Sequence, residues 1–409
     1  MKAKFSISTL LIFLFVAVKG FAQGGSNYSI YGFGDVIHNS SAVYDALGGC
    51  AIALPKENSI NLLNPAMWGF ISQTRIRAGY RFNQNLVQTE NAHLFQNNGK
   101  VDGISYALAI DTAKGASIVF GFNTYTTVNY LISKRGKVEI DGYQLFVDNQ
   151  YQGSGGLSQA FIGASLRPIN FLYLGTALLG NFGTINSFNR TLVSGSYASS
   201  AITERNDYFL GLGFRFGIAA NPLKNLLIGC FAETHHKANL KSYISNIYEL
   251  TLDTTFSMES ETEIPIAYGF GFSYRSGRTI ITADFIQRDF KKVLYNVPSK
   301  VEFQAEPKVS LGLSLLGTRS LFAPFTQRVT YNFGAYYKQL YMKINGKSID
   351  EYAFSFGFEF PIVGSATLNA GFVFGGRIPQ ISELPKEYFG RMIIELTLGE
   401  TWFVPFRRE

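Results

Sequence analysis

The sequence predicts an all-β protein, a transmembrane antiparallel β-barrel of about fourteen strands whose lumen is plugged by an N-terminal segment. The first observation is composition, because 16% of the 409 residues are charged and 15% are aromatic, whereas soluble domains average about 25% charged residues. The second is that apolar and polar residues alternate with a period of two beyond residue 72. The third is that the connections between these segments are alternately short and long. Disorder is excluded by the hydrophobic content of 46%, and helical membrane proteins need runs of about 20 apolar residues that the mature chain lacks.

Residues 1–22 have the pattern of a secretory signal peptide. Lys2 and Lys4 form a basic start, and 10–18 is an unbroken apolar run of nine residues. Small residues before the expected cut predict cleavage after Ala22. The alternative, a membrane anchor, is disfavoured because nine apolar residues are too few to span a bilayer.

Fourteen later segments have one strongly apolar face and one face of small or polar residues. In 351–360, for example, every second residue is Tyr or Phe. Strands of soluble proteins usually run about 5–6 residues, and these segments are longer, which favours a lipid-facing band around a polar lumen. The segments are 74–87, 101–112, 115–131, 156–167, 171–187, 204–219, 224–239, 262–275, 278–290, 301–317, 327–343, 349–361, 365–377 and 388–400.

The connections between these segments alternate in length. Short turns include 113–114 and 276–277, whereas the intervening connections, such as 88–100 and 240–261, are long. Short turns at one end and long loops at the other are typical of outer-membrane barrels. We expect 132–155 to form an additional hairpin above the membrane.

The positions of charged residues in the strands indicate which side chains face the lumen. Arg75, Arg77 and Arg81 share one face of the first segment. An arginine that faces lipid at the midplane costs about 2–4 kcal/mol, so these side chains must point inward. The last segment carries Glu395 opposite its apolar face, and we therefore expect Arg75 and Arg77 to lie near Glu395 inside the seam.

Residues 23–72 do not alternate and contain two glycine-rich stretches and an Asn-Pro step. A barrel of this size encloses more space than its own side chains fill. The segment is therefore expected to lie inside as a plug, or hatch, within a barrel of residues 73–402. The alternative is a disordered periplasmic tail, which the apolar content of 42–54 and 60–71 disfavours. Residues 403–409 are expected to form a short periplasmic tail.

Two motifs in this segment resemble a known family. Asp45-Ala46-Leu47-Gly48-Gly49, followed by Asn61-Leu62-Leu63-Asn64-Pro65-Ala66, is similar to the N-terminal hatch of FadL-type outer-membrane transporters of fatty acids and hydrocarbons. The start at 28–35 and the ending at 398–403 resemble Bacteroidetes members, some of which are accessory barrels in type IX secretion. The chain departs from many outer-membrane barrels by continuing past Trp402 to a basic tail.

The resemblance implies which residues act in gating. These are Gly48, Gly49, Asn64, Pro65 and Ala66. In addition, Gly121 is a candidate for a kink in the third strand, because an interior glycine often marks a bulge. The alternative for Gly121 is an ordinary glycine in a crowded lumen wall.

No pattern indicates an active site. The four histidines are His38, His93, His235 and His236, and the last two are neighbours whose side chains would point to opposite faces of a strand. The sequence has no HExxH, CxxC or P-loop pattern, so we expect neither an enzyme nor a metal or cofactor. The scattered basic residues favour contact with lipid phosphates over nucleic acid.

The two cysteines, Cys50 and Cys230, have small and apolar neighbours. Two cysteines do not make a disulfide framework. Buried thiols are therefore favoured over a bridge, which is the alternative.

Two functions remain open for a barrel of the Gram-negative outer membrane. The favoured one is hatch-gated passage of hydrophobic, fatty-acid-like small molecules. The alternative is a non-transporting accessory subunit of a larger machine for protein secretion or barrel assembly. Expected partners are outer-membrane lipid and lipopolysaccharide, with a hydrophobic ligand or another outer-membrane protein. A continuous apolar tunnel would favour transport, and a sealed plug would favour the accessory role.

Overall fold

The computed structural model describes residues 25–38, 41–89, 93–140, 143–194, 199–248, 251–318, 320 and 322–402. The predicted signal peptide 1–22 and the tail 403–409 lie outside the described residues. No helix in the described ranges is long and apolar enough to cross a membrane.

The described chain forms a closed antiparallel barrel of fourteen strands, which confirms the predicted fold class and strand number. Closure is made by the last and first strands, which pair from Glu400 opposite Thr74 to Lys386 opposite Gln88. Four strands contain a short interruption and are given in two parts. The strands are β1 (Thr74–Gln88), β2 (His93–Asp111), β3 (Ala116–Thr124 and Thr126–Ile140), β4 (Tyr143–Ile169), β5 (Leu172–Ser194), β6 (Ser199–Leu223), β7 (Leu226–His235 and Ala238–Tyr248), β8 (Thr251–Thr262 and Ile266–Ser276), β9 (Thr279–Asp289), β10 (Val301–Phe303 and Ala305–Leu315), β11 (Thr330–Ile344), β12 (Lys347–Pro361), β13 (Thr367–Pro379) and β14 (Lys386–Glu400).

Short elements precede and interrupt the barrel. The N-terminal segment contains two 3₁₀ helices (Asn27–Ile30 and Pro65–Phe70), a two-residue strand (Asp35–Val36) and the helix α1 (Ala42–Asp45). A second short helix, α2 (Phe325–Arg328), lies in the connection between β10 and β11.

The alternation in the sequence corresponds to the two faces of the wall. In β12, Phe354 and Phe356 are exposed on the outside, whereas Ala353 and Ser355 are buried inside. Because successive side chains of a strand point to opposite faces, the aromatic residues form the outer surface and the small residues line the lumen.

The long connections are mostly extended strands rather than loops. The ladder between β3 and β4 continues from Val128 opposite Gly155 to Ile140 opposite Tyr143. The expected hairpin at 132–155 is therefore a continuation of two barrel strands. Strands β5 to β8 are extended in the same way, so the wall is longer on this side. We call this end of the barrel the extended end.

The barrel wall has an interruption between β2 and β3. The ladder passes Gly121, opposite Ser105, without a register shift, and β3 breaks at Tyr125 instead. Beyond this break, within the described chain, the edge of β3 facing β2 pairs with the N-terminal Asp35–Val36. The chain's own N-terminal segment thus covers part of an open strand edge.

Candidate functional site: the plugged lumen

The N-terminal segment lies inside the barrel, because it is bonded to distant parts of the wall. Asp284 of β9 accepts hydrogen bonds from the amides of Ala51 (2.6 Å) and Ile52 (2.8 Å). The amide of Gly48 donates to Ser355 of β12 at 2.9 Å. We call the described residues of 25–72 the plug.

The first motif forms a tight turn after α1. Gly48 and Gly49 have φ of 69° and 88°, a left-handed conformation that favours glycine. The amide of Gly49 donates to the carbonyl of Tyr44 at 2.8 Å, so the turn closes on its own helix.

The second motif forms a capped turn. The Asn61 side chain accepts from the amides of Leu63 and Asn64, each at 2.9 Å. Asn64 in turn caps the helix Pro65–Phe70 by accepting from the Ala66 amide at 3.0 Å. The residues expected to act in gating are therefore held at two separate turns of the plug by local hydrogen bonds.

Glycines in the wall let the plug backbone approach closely. A methyl group on Gly334 of β11 would overlap the Gly48 amide, and one on Gly217 of β6 would overlap the Asn64 side chain. A glycine inside a strand often marks such a close approach of another backbone. Part of the glycine excess therefore serves contact with the plug.

Replacing Gly334 with valine is expected to displace the plug turn at Gly48. A larger side chain there must push the plug backbone aside, which typically destabilises a packed core by about 1–3 kcal/mol. Limited proteolysis of the plug and unfolding in denaturant measure the effect. The control is Gly180→Val on β5, where an added Cβ meets nothing within 4 Å. Equal protection of the plug in both variants would contradict the close packing.

A buried charge cluster lies at the seam between β1 and β14. Arg77 Nε donates to Glu395 Oε2 at 2.9 Å, and both side chains are fully buried. Glu395 also accepts from the Ala42 amide at 3.2 Å and from the Ser59 hydroxyl at 3.0 Å, both in the plug. The carboxylate therefore joins the two closing strands to the plug.

The remaining arginines of the predicted cluster take different positions. Arg81 bonds Asp102 at 2.8 Å and also pairs with Asp45 of the plug. Arg75 instead donates to the Ser365 carbonyl and the Gln73 side chain. The structure thus brings Arg77 and Arg81 into the plug contacts and leaves Arg75 outside them.

A second charge cluster surrounds Arg377 of β13. Its guanidinium lies 2.7 Å from Glu351, 3.0 Å from Asp35 of the plug and 3.3 Å from Glu387. Arg391 adds a contact of 3.7 Å to Glu351. Sequence reasoning missed this cluster, because Asp35 and Arg377 are 342 positions apart.

Further ion pairs tie the plug to the wall. Lys56 donates to Glu359 at 2.8 Å, with both side chains buried. Arg215 of β6 donates to the Leu62 carbonyl of the plug and pairs with Glu233 of β7. The plug is held by buried charges on several sides.

His38 of the plug lies 2.8 Å from Glu306 of β10. Burial is the main effect and lowers the pKa of His38 to about 3, although the Glu306 carboxylate opposes this shift. The imidazole is therefore neutral around pH 7. The described residues contain no group of three or more His, Cys, Asp or Glu that could hold a metal ion.

Both cysteines are free thiols. Burial raises the pKa of Cys50 well above its usual value, which makes this thiol unreactive. Cys230 lies on the exposed outer face of β7, so the expectation that both thiols are buried is wrong for this residue. Gly229 faces the plug, and alternation therefore turns Cys230 outward.

Aromatic rings close the lumen towards the extended end. Phe33 of the plug stacks on Tyr295, with ring centroids 5.4 Å apart. Phe290 stacks on Tyr341 of β11 at 4.0 Å. Below this cap, a cavity of about 70 Å³ has a charged lining that includes Arg81.

This cavity is therefore small, and most of its lining residues are polar or charged. This differs from the continuous apolar tunnel that transport of hydrophobic molecules would favour.

Comparison with known proteins identifies a family and a fold. The model of the BamG family matches residues 1–408. No curated protein matches the sequence. A FadL homologue of Pseudomonas aeruginosa is 10% identical, with a TM-score of 0.64, and the match covers 90% of this chain and 98% of that one. The Pseudomonas putida toluene transporter TodX is 13% identical, with a TM-score of 0.60 and coverage of 90% and 99%.

A third solved structure, the CymD monoaromatic hydrocarbon channel, gives a TM-score of 0.58 at 13% identity over 92% of this chain and 99% of that one. At these identities the likeness concerns the fold, and the predicted resemblance to the FadL family is confirmed at that level. The chain shares the β-barrel fold of these structures, two of which are described as a hydrocarbon channel and a toluene transporter.

Proposed function

The chain belongs to the BamG family, and from that membership and the plug bonded inside the lumen we propose a non-conducting accessory barrel of the Gram-negative outer membrane. Its role is to dock onto another outer-membrane protein in a larger machine for protein secretion or barrel assembly. The observation that carries the proposal is the attachment of the plug to the wall through buried ion pairs.

Opening a path through this lumen requires separating several buried charges. Lys56 would leave Glu359, Asp35 would leave Arg377, and Arg81 would leave Asp45. Breaking one buried ion pair by removal of a partner typically costs about 3–5 kcal/mol. A plug held in this way is better explained as a permanent structural part of the barrel than as a gate that opens in each transport cycle.

The second candidate is passage of hydrophobic, fatty-acid-like molecules, which the sequence favoured. Two observations support it. One is the FadL-type fold. The other is the interruption of β3 at Tyr125, next to the described stretch where β3 pairs with Asp35–Val36 of the plug. An apolar ligand that crossed the lumen along the plug would meet the charged cavity next to Arg377 and Glu351. On such a path the charged groups lose their hydrating water, and an apolar ligand offers them no hydrogen bond or opposite charge to replace it.

The processing and boundaries of the chain form part of the proposal. Residues 1–22 are removed after export, 23–72 form the plug and 73–402 form the barrel. Membrane lipid and lipopolysaccharide surround the outer face, where Phe354 and Phe374 are exposed. N-terminal sequencing of the purified protein is expected to start at Gln23.

Native purification from membranes tests the proposed role. We expect one other outer-membrane protein to co-purify in a fixed ratio, and the extracted lipid to contain no ligand in stoichiometric amount. Blue-native electrophoresis and mass spectrometry measure both. A monomeric barrel that retains one hydrophobic ligand per chain would overturn the accessory role in favour of transport.

A further inference from the structure

A large recess opens at the end of the barrel where the short turns lie. Its volume is about 970 Å³, close to the upper end of the range of about 300–1,000 Å³ for ligand pockets. The plug loop 54–58 forms its floor, and the turns at 221–225 and 275–278 contribute to its walls. In an outer-membrane barrel this end faces the periplasm.

The recess carries an excess of positive charge. The described residues of its lining include two carboxylates, Glu57 and Glu359, and Glu359 is paired with Lys56 at 2.8 Å. Four further cations line the recess, and no carboxylate of the described residues lies within 4.0 Å of their charged nitrogens. They are Lys224, Arg275, Arg278 and Arg328.

Two of these cations are held in place by the backbone. Arg278 donates to the carbonyls of Leu316 (2.8 Å) and Gln327 (3.2 Å). Arg275 donates to the Gly277 carbonyl at 3.2 Å. Each of these bonds uses only part of a guanidinium that has five N–H donors, so donors remain for an acidic ligand. Ordering the side chains in advance lowers the entropy lost on binding.

Apolar side chains line the same recess as the cations. Phe70 of the plug and Ile280 of β9 line the same recess, together with Leu226, Leu227 and Leu316. A lining that combines positive charge with apolar surface fits a polypeptide better than a phosphate group alone, because a peptide offers both carboxylates and side chains to pack.

We propose that this recess binds an extended acidic segment of a periplasmic protein. The inference rests on the proposed accessory role and adds a periplasmic contact to it. Carboxylates of the segment would pair with Lys224, Arg275 and Arg328, and its intervening side chains would lie on Phe70 and Ile280. Charge complementarity selects an acidic partner and disfavours basic ones.

Peptide binding to the purified full chain tests the proposal. The probe is a fluorescent peptide of alternating glutamate and leucine, followed by fluorescence anisotropy in a neutral detergent. The test variant is Lys224→Gln/Arg275→Gln/Arg328→Gln, which leaves Arg278 to hold its turn. The control is Lys134→Gln/Arg135→Gln/Lys137→Gln, which removes the same charge from exposed residues of β3 at the extended end.

We expect the test variant to bind the peptide at least about tenfold more weakly, which corresponds to about 1.4 kcal/mol. The control should bind like the wild type, and a peptide of alternating lysine and leucine should not bind. Equal weakening in both variants would overturn the proposal, since it would indicate attraction by net charge alone.

A lipid in the recess is the competing occupant. If native mass spectrometry finds anionic phospholipid bound to the wild type and lost from the test variant, while the acidic peptide does not compete, the peptide proposal is overturned. Failure of peptide binding leaves co-purification of a membrane partner unaffected, so this result is distinguishable from failure of the accessory role.

Discussion

Replacing Arg377 with methionine is expected to lower the free energy of unfolding by about 3–5 kcal/mol. The substitution leaves Glu351 and Glu387 buried without their closest cation and releases Asp35 of the plug. Methionine retains much of the side-chain volume, so the loss reports mainly on charge. Unfolding in denaturant, followed by the fluorescence of the two tryptophans, of which Trp68 lies inside the plug, measures it.

The matched control for this substitution is Arg135→Met. Arg135 also faces a carboxylate, Asp148 at 3.6 Å, but its side chain is 87% exposed. Exposed ion pairs typically contribute about 0–1 kcal/mol. If the two variants lose similar stability, the buried cluster around Arg377 does not hold the plug as described.

Replacing Glu395 with alanine is expected to give a loss of similar size and to loosen the plug near Ser59. Arg77 would remain fully buried without its closest carboxylate, since its other acidic neighbour, Asp102, is 4.0 Å away. The Ala42 amide and the Ser59 hydroxyl would lose an acceptor as well. Hydrogen exchange of 41–60 measures the local effect, and denaturant unfolding measures the global one.

Glu259→Ala provides the control for Glu395→Ala. Glu259 bonds Lys241 at 3.1 Å but is 76% exposed, so its removal should change stability little and leave exchange in the plug unchanged. Exchange rates in 41–60 that match the wild type in the Glu395 variant would contradict its role as a link between seam and plug.

The sequence predicted the membrane-spanning parts of the barrel well, for a physical reason. Lipid on one side and a filled lumen on the other impose strict alternation, as in Phe354 and Phe356 against Ser355. The same argument placed Arg77 inside, because an arginine cannot face lipid without a large loss of stability.

Where this constraint ends, the sequence was less informative. Beyond the membrane both faces of β3 and β4 are wet, so alternation weakens and 132–155 could not be assigned to continuing strands. The break in β3 falls at Tyr125, where it meets the plug, and no local signal separates this residue from Gly121.

The charge clusters could not be predicted, because their members come from distant strands. Arg377 meets Asp35, Glu351 and Glu387 only after the barrel has closed around the plug. A single sequence shows which residues are charged but not which of them lie at the same level along the barrel axis. The orientation of Cys230, by contrast, could have been derived from the alternation in β7.

Electrical conductance of the purified full-length chain in planar lipid bilayers tests the central claim most directly, namely that the lumen is closed by a firmly held plug. We expect the wild type to give no steady conductance, because buried ion pairs tie the plug to the wall and the aromatic cap around Phe33 and Tyr295 packs against it. The Arg377→Met/Glu395→Ala variant should show frequent openings. A steady, open conductance of the wild-type protein would contradict the account.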